Sequence, residues 1–346
     1  ILFTMMLFNL GVIFLACSLL VSGLSSGEKV GARPIAVITG GTKGIGGGIA
    51  EALAEQGYDL LLTYNTDDAT ATEFSKSLLL LTDGKSSTTS TPTTVVECVG
   101  GDITLSTTRD KVFQTLDAMD GRLSVLVHNA GQYVGLTSDN VDGLEKSTGP
   151  PLMFGDGSLA NKEDGSTNFD TMHYYQRLYG EAFVDLCERS IVRMGGSSSN
   201  GDENEEGNET QADPIHGGGS IIGISSPGVS AHYFGPDPSY SLPGAGKCLM
   251  EYSMRIYALK AAERNINANI IVPGVTPTQA WKGLAQSMGM PDEAALIEGI
   301  VERRVPQKKS TTPRDIGNVV AFLCSDSGRF VTGTVLPVDG GLHLRF

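Results

Sequence analysis

The stretch TGGTKGIG, residues Thr39–Gly46, decides the fold of this chain. It follows the apolar run Ile35–Ile38, which is typical of a short buried strand, and a helix is expected from about Ile45. Glycines let such a turn close tightly and let a pyrophosphate approach the N–H groups of the helix N-terminus. Glycine-rich turns also occur as plain connections, and the spacing here is G-x-x-x-G-x-G rather than G-x-G-x-x-G. A dinucleotide site is therefore a hypothesis that needs support from the rest of the chain.

Strand-like and helix-like segments alternate along the chain. The strand-like segments are near-continuous apolar runs, as in a parallel sheet covered by helices on both faces. The sequence therefore predicts an α/β fold with a single Rossmann-type doubly wound parallel sheet. The predicted strands are Ile35–Thr39, Asp59–Tyr64, Val95–Gly100, Leu123–His128, Ser220–Ser225, Ile266–Val272 and Thr334–Val338. The predicted helices are Ile45–Gln56, Ala69–Leu81, Arg109–Met119, Phe169–Met194, Lys247–Arg264 and Asp315–Leu323.

Composition and charge narrow the class of protein. The 346 residues suffice for one large α/β domain with insertions. A net charge of −14 argues against a nucleic-acid partner. The five cysteines are scattered without a C-x-x-C pair, and the histidines lack metal-ligand spacing, so neither a metal site nor a disulfide framework is expected.

One segment is expected to precede the domain 34–346, and two insertions are expected within it. Residues 1–25 are almost entirely apolar, which predicts a targeting segment or signal anchor. Secretory-pathway targeting, plastid targeting and membrane anchoring all remain open, and a removed segment is favoured over a permanent span. Insertions near 136–167 and 195–219 are polar and rich in Gly and Ser, and disorder is expected in both.

Several further motifs follow the glycine-rich turn in a fixed order. Together these motifs resemble the short-chain dehydrogenase/reductase family, and within it the 3-oxoacyl-ACP reductases, over roughly Pro34 to Gly341. They are Asp102 after the third strand, His128–Gly131 (HNAG, where the family has NNAG), Ser220–Ser226, Asn269–Gly274 (NIIVPG) and Gly333–Gly341.

The resemblance implies a nicotinamide cofactor, and the charges indicate which one. An acid at the end of the second strand would bind the ribose hydroxyls of NAD. Tyr64 and Asn65 stand there instead, and Lys43 offers a positive charge to a 2′-phosphate, so NADPH is predicted. The cofactor-binding residues implied are Gly40, Thr42, Lys43, Gly44, Ile45, Gly46, Tyr64, Asn65, Asp102, Ile103, Asn129, Ala130, Gly131, Lys247, Pro273, Gly274, Val275 and Thr276.

The family's proton donor is a tyrosine whose pKa is lowered by a lysine, usually in the order Tyr-x-x-x-Lys. Lys247 is the matching lysine here, but Pro243 stands four residues before it. The nearest tyrosine upstream is Tyr240, which gives Tyr-x6-Lys. Ser226, with Ser225 as the fallback, matches the substrate-orienting serine. Gln176 falls where the family carries a relay asparagine.

Three functions follow from this departure. The first is NADPH-dependent reduction of a carbonyl, with a 3-oxoacyl thioester and hence fatty acid metabolism as one instance. The second is enoyl-thioester reduction, since the wider family's enoyl reductases use Tyr-x6-Lys. The third is cofactor binding by a degenerate site. An apolar small-molecule substrate is expected, because the segment Thr278–Pro306 resembles a lid and carries Trp281 and Met288. The resemblance also implies a homodimer or homotetramer.

Overall fold

The computed structural model describes residues 33–83, 94–131, 169–194, 218–229, 241–279, 281–282, 285 and 292–344. They belong to a compact unit that runs from Arg33 to Phe346. The apolar segment 1–25, the insertion near 136–167, nearly all of the insertion near 195–219, and Tyr240 lie outside these residues. Within the described ranges, no helix is both long and apolar enough to cross a membrane.

Seven parallel strands form one sheet in the order β3-β2-β1-β4-β5-β6-β7. This arrangement confirms the single doubly wound sheet predicted from the sequence. The order reverses between β1 and β4, which is where open parallel sheets bind dinucleotides. The strands are β1 Pro34–Thr39, β2 Asp59–Tyr64, β3 Val96–Gly100, β4 Arg122–His128, β5 Gly219–Ile224, β6 Ile266–Pro273 and β7 Val335–Val338.

Helices cover both faces of the sheet. The helices are α1 Gly44–Glu55, α2 Asp68–Asp83, α3 Ser106–Ala118, α4 Phe169–Tyr175, α5 Ala182–Met194, α6 Ser241–Lys260, α7 Glu293–Arg304 and α8 Pro313–Leu323. A π-helical segment, Gln176–Glu181, joins α4 to α5. Short 3₁₀ turns at Ala262–Arg264, Asp326–Gly328 and Leu342–Leu344 complete the described part of the chain.

The core consists of two layers, because successive strand residues point to opposite faces of the sheet. Val37 packs into the layer that contains Phe183 and Met250. Its neighbour Ile38 packs into the layer that contains Ile49 and Val320. Both layers are needed to bury the continuous apolar runs that the sequence shows.

Two predicted helices differ from the observed ones. The expected helix Phe169–Met194 contains the π-helical segment, and the helix expected from Lys247 begins at Ser241. Pro243 is tolerated because it occupies the first turn, where the backbone N–H groups have no intrahelical partner. The helix α7 was not predicted, and it falls within the segment proposed as a lid.

Candidate active site

The turn between β1 and α1 has the geometry of a phosphate cradle. Gly40 has φ +61° and Gly44 has φ +55°, a left-handed conformation that glycine adopts without a steric penalty. A Cβ on Gly46 would lie 2.1 Å from the Gly40 carbonyl oxygen, so no larger residue fits there. The N–H groups at the N-terminus of α1 follow this turn directly, which suits an anionic pyrophosphate. The residues present therefore fit a dinucleotide.

The end of β4 holds this turn in place. The Asn129 side chain donates hydrogen bonds from Nδ2 to the carbonyl oxygens of Thr39 (3.1 Å) and Gly40 (3.0 Å). The backbone N–H groups of Asn129 and Ala130 both donate to Thr39 Oγ1, at 3.0 and 2.9 Å. Gly131 follows, and a Cβ there would lie 3.1 Å from the Tyr179 hydroxyl. The predicted residues 129–131 thus shape the site next to the cofactor turn.

His128, which replaces the first asparagine of the family motif, is buried and neutral. Thr39 Oγ1 already accepts two N–H groups, so its own hydrogen points to His128 Nδ1 at 3.1 Å. His128 Nε2 then carries the ring proton and donates to the Leu178 carbonyl oxygen at 2.9 Å. Burial lowers the pKa of His128 to about 4. This ring therefore links the cofactor turn to the π-helical segment.

The turn after β3 is fixed by a buried arginine that the sequence reasoning missed. Asp102 Oδ1 accepts from the Thr104 N–H at 2.8 Å. Arg109 Nη1 donates to the carbonyl oxygens of Ile103 and Thr104, each at 2.9 Å. Arg109 Nε donates to Asp185 Oδ2 at 2.5 Å. Asp102 and Ile103, two of the residues predicted to bind the cofactor, thus lie on a turn that these hydrogen bonds fix.

An acid stands closer to Lys43 than the sequence indicated. Lys43 Nζ lies 3.5 Å from Asp67 Oδ2, and both side chains are exposed. Hydrogen bonds from Thr70 and the Lys43 charge lower the pKa of the Asp67 carboxyl. A hydrogen bond to Asp68 raises the pKa of the Tyr64 phenol. The region predicted to hold a 2′-phosphate therefore combines one cation with two nearby carboxylates.

Lys247 lies at the carboxyl end of β5, where a catalytic lysine is expected. Its side chain is buried, and Nζ donates to the Ile224 carbonyl oxygen at 2.9 Å. Nζ also lies 4.6 Å from the centre of the Tyr179 ring, within cation–π range. Burial lowers the pKa of Lys247 to about 7, while the charge of Glu251 acts in the opposite direction.

The two candidate serines follow β5 and differ in their surroundings. Both Ser225 and Ser226 are buried. Ser225 Oγ donates to Glu251 Oε1 at 2.5 Å, which commits Ser225 to a carboxylate. The choice of Ser226 over Ser225 as the serine that orients the substrate stays a prediction. Tyr240, the predicted proton donor, lies outside the described residues.

Tyr179 is the side chain that the structure brings next to Lys247, whereas Gln176 begins the π-helical segment three residues earlier. A π-helical segment inserts an extra residue into a helical turn and changes which side chains face a neighbour. No signal in the sequence predicts such an insertion, so Tyr179 was missed. Its ring is parallel to that of Tyr175, with ring centres 6.0 Å apart.

The predicted nicotinamide loop, residues 273–276, is held from three sides. The Gly274 N–H donates to the Val338 carbonyl oxygen, and the Thr311 N–H donates to that of Val275, each at 2.9 Å. The indole Nε1 of Trp281 donates to the Thr276 carbonyl oxygen at 2.8 Å. Trp281 therefore supports this loop. Among the described residues, no cluster of His, Cys, Asp and Glu is suited to hold a metal ion.

Comparison with known proteins agrees with this geometry. The family model described as short chain dehydrogenase matches residues 34–146, and the one described as Enoyl-(Acyl carrier protein) reductase matches residues 210–343. Solved structures include L-sorbose reductase from Gluconobacter frateurii, determined with NADPH and L-sorbose. It is 22% identical, the match covers 90% of this chain and 97% of that one, and the TM-score is 0.64. At this identity the likeness concerns the fold.

Two curated relatives are reductases. The 3-oxoacyl-acyl-carrier-protein reductase of rhamnolipid biosynthesis from Pseudomonas aeruginosa is 24% identical over 312 residues, which is 90% of this chain and 96% of its own. An NADH-dependent enoyl-acyl-carrier-protein reductase from Bacillus subtilis is 32% identical over 130 residues, which is 37% of this chain and 45% of its own. With the two family models, the seven-stranded sheet and the site at its carboxyl edge, the chain belongs to the short-chain dehydrogenase/reductase family of oxidoreductases.

Proposed function

We propose that this protein is an NADPH-dependent reductase that converts a carbonyl group, such as that of a 3-oxoacyl thioester, into a hydroxyl. The observation that carries the proposal is the burial of Lys247 against the end of β5, where its ammonium donates to the Ile224 carbonyl oxygen two residues before Ser226. A buried lysine costs free energy, and a lysine that only stabilised the fold would be replaced by an apolar residue without loss. Its position at the carboxyl edge of the sheet, which the cofactor turn shares, supports a role in the reaction.

The residues divide the chemistry between them. Bound NADPH supplies a hydride. Tyr240 donates a proton to the substrate oxygen, and the Lys247 ammonium lowers the pKa of that phenol. The Ser226 hydroxyl donates a hydrogen bond to the same oxygen and orients it. Lys247, with its pKa near 7, is able to exchange a proton at neutral pH and to hold the ribose hydroxyls.

Enoyl-thioester reduction is the second candidate, and two observations favour it. The spacing Tyr240-x6-Lys247 is the one that the family's enoyl reductases use. The family model described as an enoyl reductase covers residues 210–343, the part of the chain that contains both residues. Reduction of a carbon–carbon double bond would need the same cofactor turn and the same lysine. Only a comparison of the two substrates therefore distinguishes carbonyl reduction from enoyl reduction.

The test is NADPH oxidation by the full chain, with a 3-oxoacyl thioester and a trans-2-enoyl thioester of equal length. Faster turnover of the oxo substrate supports the proposal, and faster turnover of the enoyl substrate replaces it with the second candidate. Tyr240→Phe should lower kcat by about 10²- to 10⁴-fold, because it removes the proton donor. Tyr58→Phe, at a tyrosine just before β2 whose hydroxyl donates to the Cys324 carbonyl oxygen, is the matched control and should leave kcat unchanged.

Cofactor binding without turnover is the remaining outcome. If NADPH binds but neither thioester is reduced, the displaced tyrosine marks a degenerate site and the proposal is wrong. NADPH fluorescence measures that binding directly, so loss of catalysis and loss of the cofactor site are distinguished.

A further inference from the structure

Glu251 is a buried carboxylate that the proposed reaction does not use. It lies on α6, four residues after Lys247, so both side chains project from one face of the helix. Each side chain is only 6% exposed. A carboxylate removed from water costs free energy unless it is hydrogen-bonded or paired with a cation. The position of this carboxylate, one helical turn from a buried lysine, therefore needs a physical explanation.

Glu251 and Lys247 contact consecutive residues at the end of β5. Lys247 Nζ donates to the Ile224 carbonyl oxygen at 2.9 Å, and Ser225 Oγ donates to Glu251 Oε1 at 2.5 Å. The two contacts join α6 to the turn that carries Ser226. A change at Glu251 therefore reaches both the lysine and the substrate-orienting serine.

Among the residues that the structure describes, the other titratable groups around Lys247 do not supply a negative charge at neutral pH. The Tyr179 ring faces Nζ from the π-helical segment, and Tyr175, whose pKa is raised by burial, stacks on that ring. His128 on β4 is neutral, because burial lowers its pKa to about 4. The strands β5 and β6 carry no titratable side chain.

Glu188, which faces α6 from α5, is paired with Lys260 near the far end of α6. On α6 itself, burial and then the charge of Glu251 raise the pKa of the Cys248 thiol, which therefore stays neutral.

We propose that Glu251 is a positioning residue that holds Lys247 in its ammonium form and, through Ser225, fixes the turn that presents Ser226. The consequence for catalysis rests on the function proposed above, but the electrostatic effect of Glu251 on Lys247 does not. Loss of the Glu251 charge leaves a buried cation with one carbonyl oxygen and one aromatic ring as its described contacts. The lysine then releases its proton at a lower pH.

The first experiment titrates the Lys247 ammonium in the full chain without cofactor, by NMR of lysine labelled with ¹³C at Cε. The Lys247 signal is assigned from its loss in Lys247→Arg. In Glu251→Gln the amide still accepts the Ser225 hydrogen bond, but the charge is gone, and the midpoint should fall by about 1 pH unit or more. Glu263→Gln, at an exposed acid beyond the same helix, is the matched control and should not move the midpoint. An unchanged midpoint in Glu251→Gln would overturn the proposal.

Two further variants separate the charge from the hydrogen bond. Ser225→Ala removes the bond to Glu251 and keeps both charges, so it should raise KM for substrate while the Lys247 midpoint stays in place. Glu251→Asp keeps the charge on a shorter side chain, and it serves if Glu251→Gln does not fold. Its midpoint should stay near that of the unchanged protein, and a fall as large as that expected for Glu251→Gln contradicts a role for the charge.

The pH dependence of kcat/KM provides the catalytic reading. The alkaline limb should move to lower pH in Glu251→Gln by the same shift that the titration measures. If the protein reduces neither thioester but the Lys247 midpoint still depends on Glu251, the proposed effect of Glu251 on Lys247 stands and the proposed function fails. If the protein reduces a thioester but the alkaline limb does not move in Glu251→Gln, the proposed function stands and the proposed role of Glu251 fails.

Discussion

At the scale of single residues, His128 is the clearest departure from the family motif. Its ring bridges Thr39 and the Leu178 carbonyl oxygen, and both contacts require the neutral form with the proton on Nε2. The pKa is held at about 4, below the ordinary value of 6.5. Between pH 6.5 and 4, the unfolded chain therefore binds a proton at His128 that the folded chain does not bind. The free energy of unfolding falls as the pH falls through that range.

We expect His128→Asn to remove most of this acid sensitivity, because an amide can donate to Leu178 and accept from Thr39 without titrating. The shift corresponds to about 3 kcal/mol of unfolding free energy lost by pH 4. Thermal denaturation at pH 7 and pH 4 measures it. His173→Asn, at an exposed histidine on α4, should keep the full loss. Equal losses in both variants would show that His128 is not the cause.

The residue scale also shows what the family motif alone leaves open. Gln176 was chosen because it falls where the family carries a relay asparagine, whereas the described ring next to Lys247 is that of Tyr179. The π-helical segment interrupts the regular helical repeat between these two residues. Gln176 as a relay residue stays a prediction, whereas the contact between Tyr179 and Lys247 is a feature of the fold.

At the scale of elements, the turn from β1 to α1 and the segment between β2 and α2 together form the region proposed to set the cofactor preference. Lys43 was predicted from the turn alone, but Asp67, which lies 3.5 Å from its ammonium, comes from the segment after β2. Both side chains are exposed, so this ion pair contributes little to the free energy of unfolding and breaks readily. A 2′-phosphate would compete with Asp67 for Lys43.

Lys43→Ala should raise KM for NADPH about tenfold and change KM for NADH much less, since one charge-assisted hydrogen bond to the 2′-phosphate is lost. Asp67→Asn should lower KM for NADPH, because it removes the competing carboxylate. Initial rates with both cofactors measure the ratio. Lys76→Ala, at an exposed lysine on α2, is the control. A fall in NADH use as large as that in NADPH use would speak against a phosphate contact.

At the scale of the whole molecule, α6 presents an apolar stripe to the outside of the described unit. Leu249, Tyr252, Ile256 and Leu259 recur at helical spacing, and all four are exposed, with Leu259 at 79%. Large exposed apolar patches mark interaction surfaces. A homodimer or homotetramer was expected from the family resemblance, and this stripe supports that proposal.

The full chain should elute above its monomer mass of 36.4 kDa, and Leu259→Glu should shift it toward the monomer. A charge placed in a buried apolar interface is left without a partner and weakens association. Sedimentation equilibrium measures the mass. Leu80→Glu, at an exposed leucine on α2, should leave the mass unchanged. A monomeric protein would refute the proposal directly.

The sequence by itself determined the class of fold, the approximate bounds of the strands and the place of the cofactor turn. These features have local signals in the sequence. A buried parallel strand appears as a run of apolar residues, and a phosphate-binding turn requires glycine. Lys247 was also identified by local means, from its distance to the NIIVPG turn. The helix α7 was not predicted, because its apolar positions do not form a clear stripe along one face.

Only the tertiary structure decided what surrounds these residues. Ser225 and Glu251 are 26 residues apart, and Lys43 and Asp67 are 24 apart, so no local pattern connects either pair. Tyr179 reaches Lys247 through a π-helical segment that propensity does not predict. Packing of distant elements fixes which charges and rings meet, and the burial that results lowers the pKa of Lys247, on which the proposed chemistry depends.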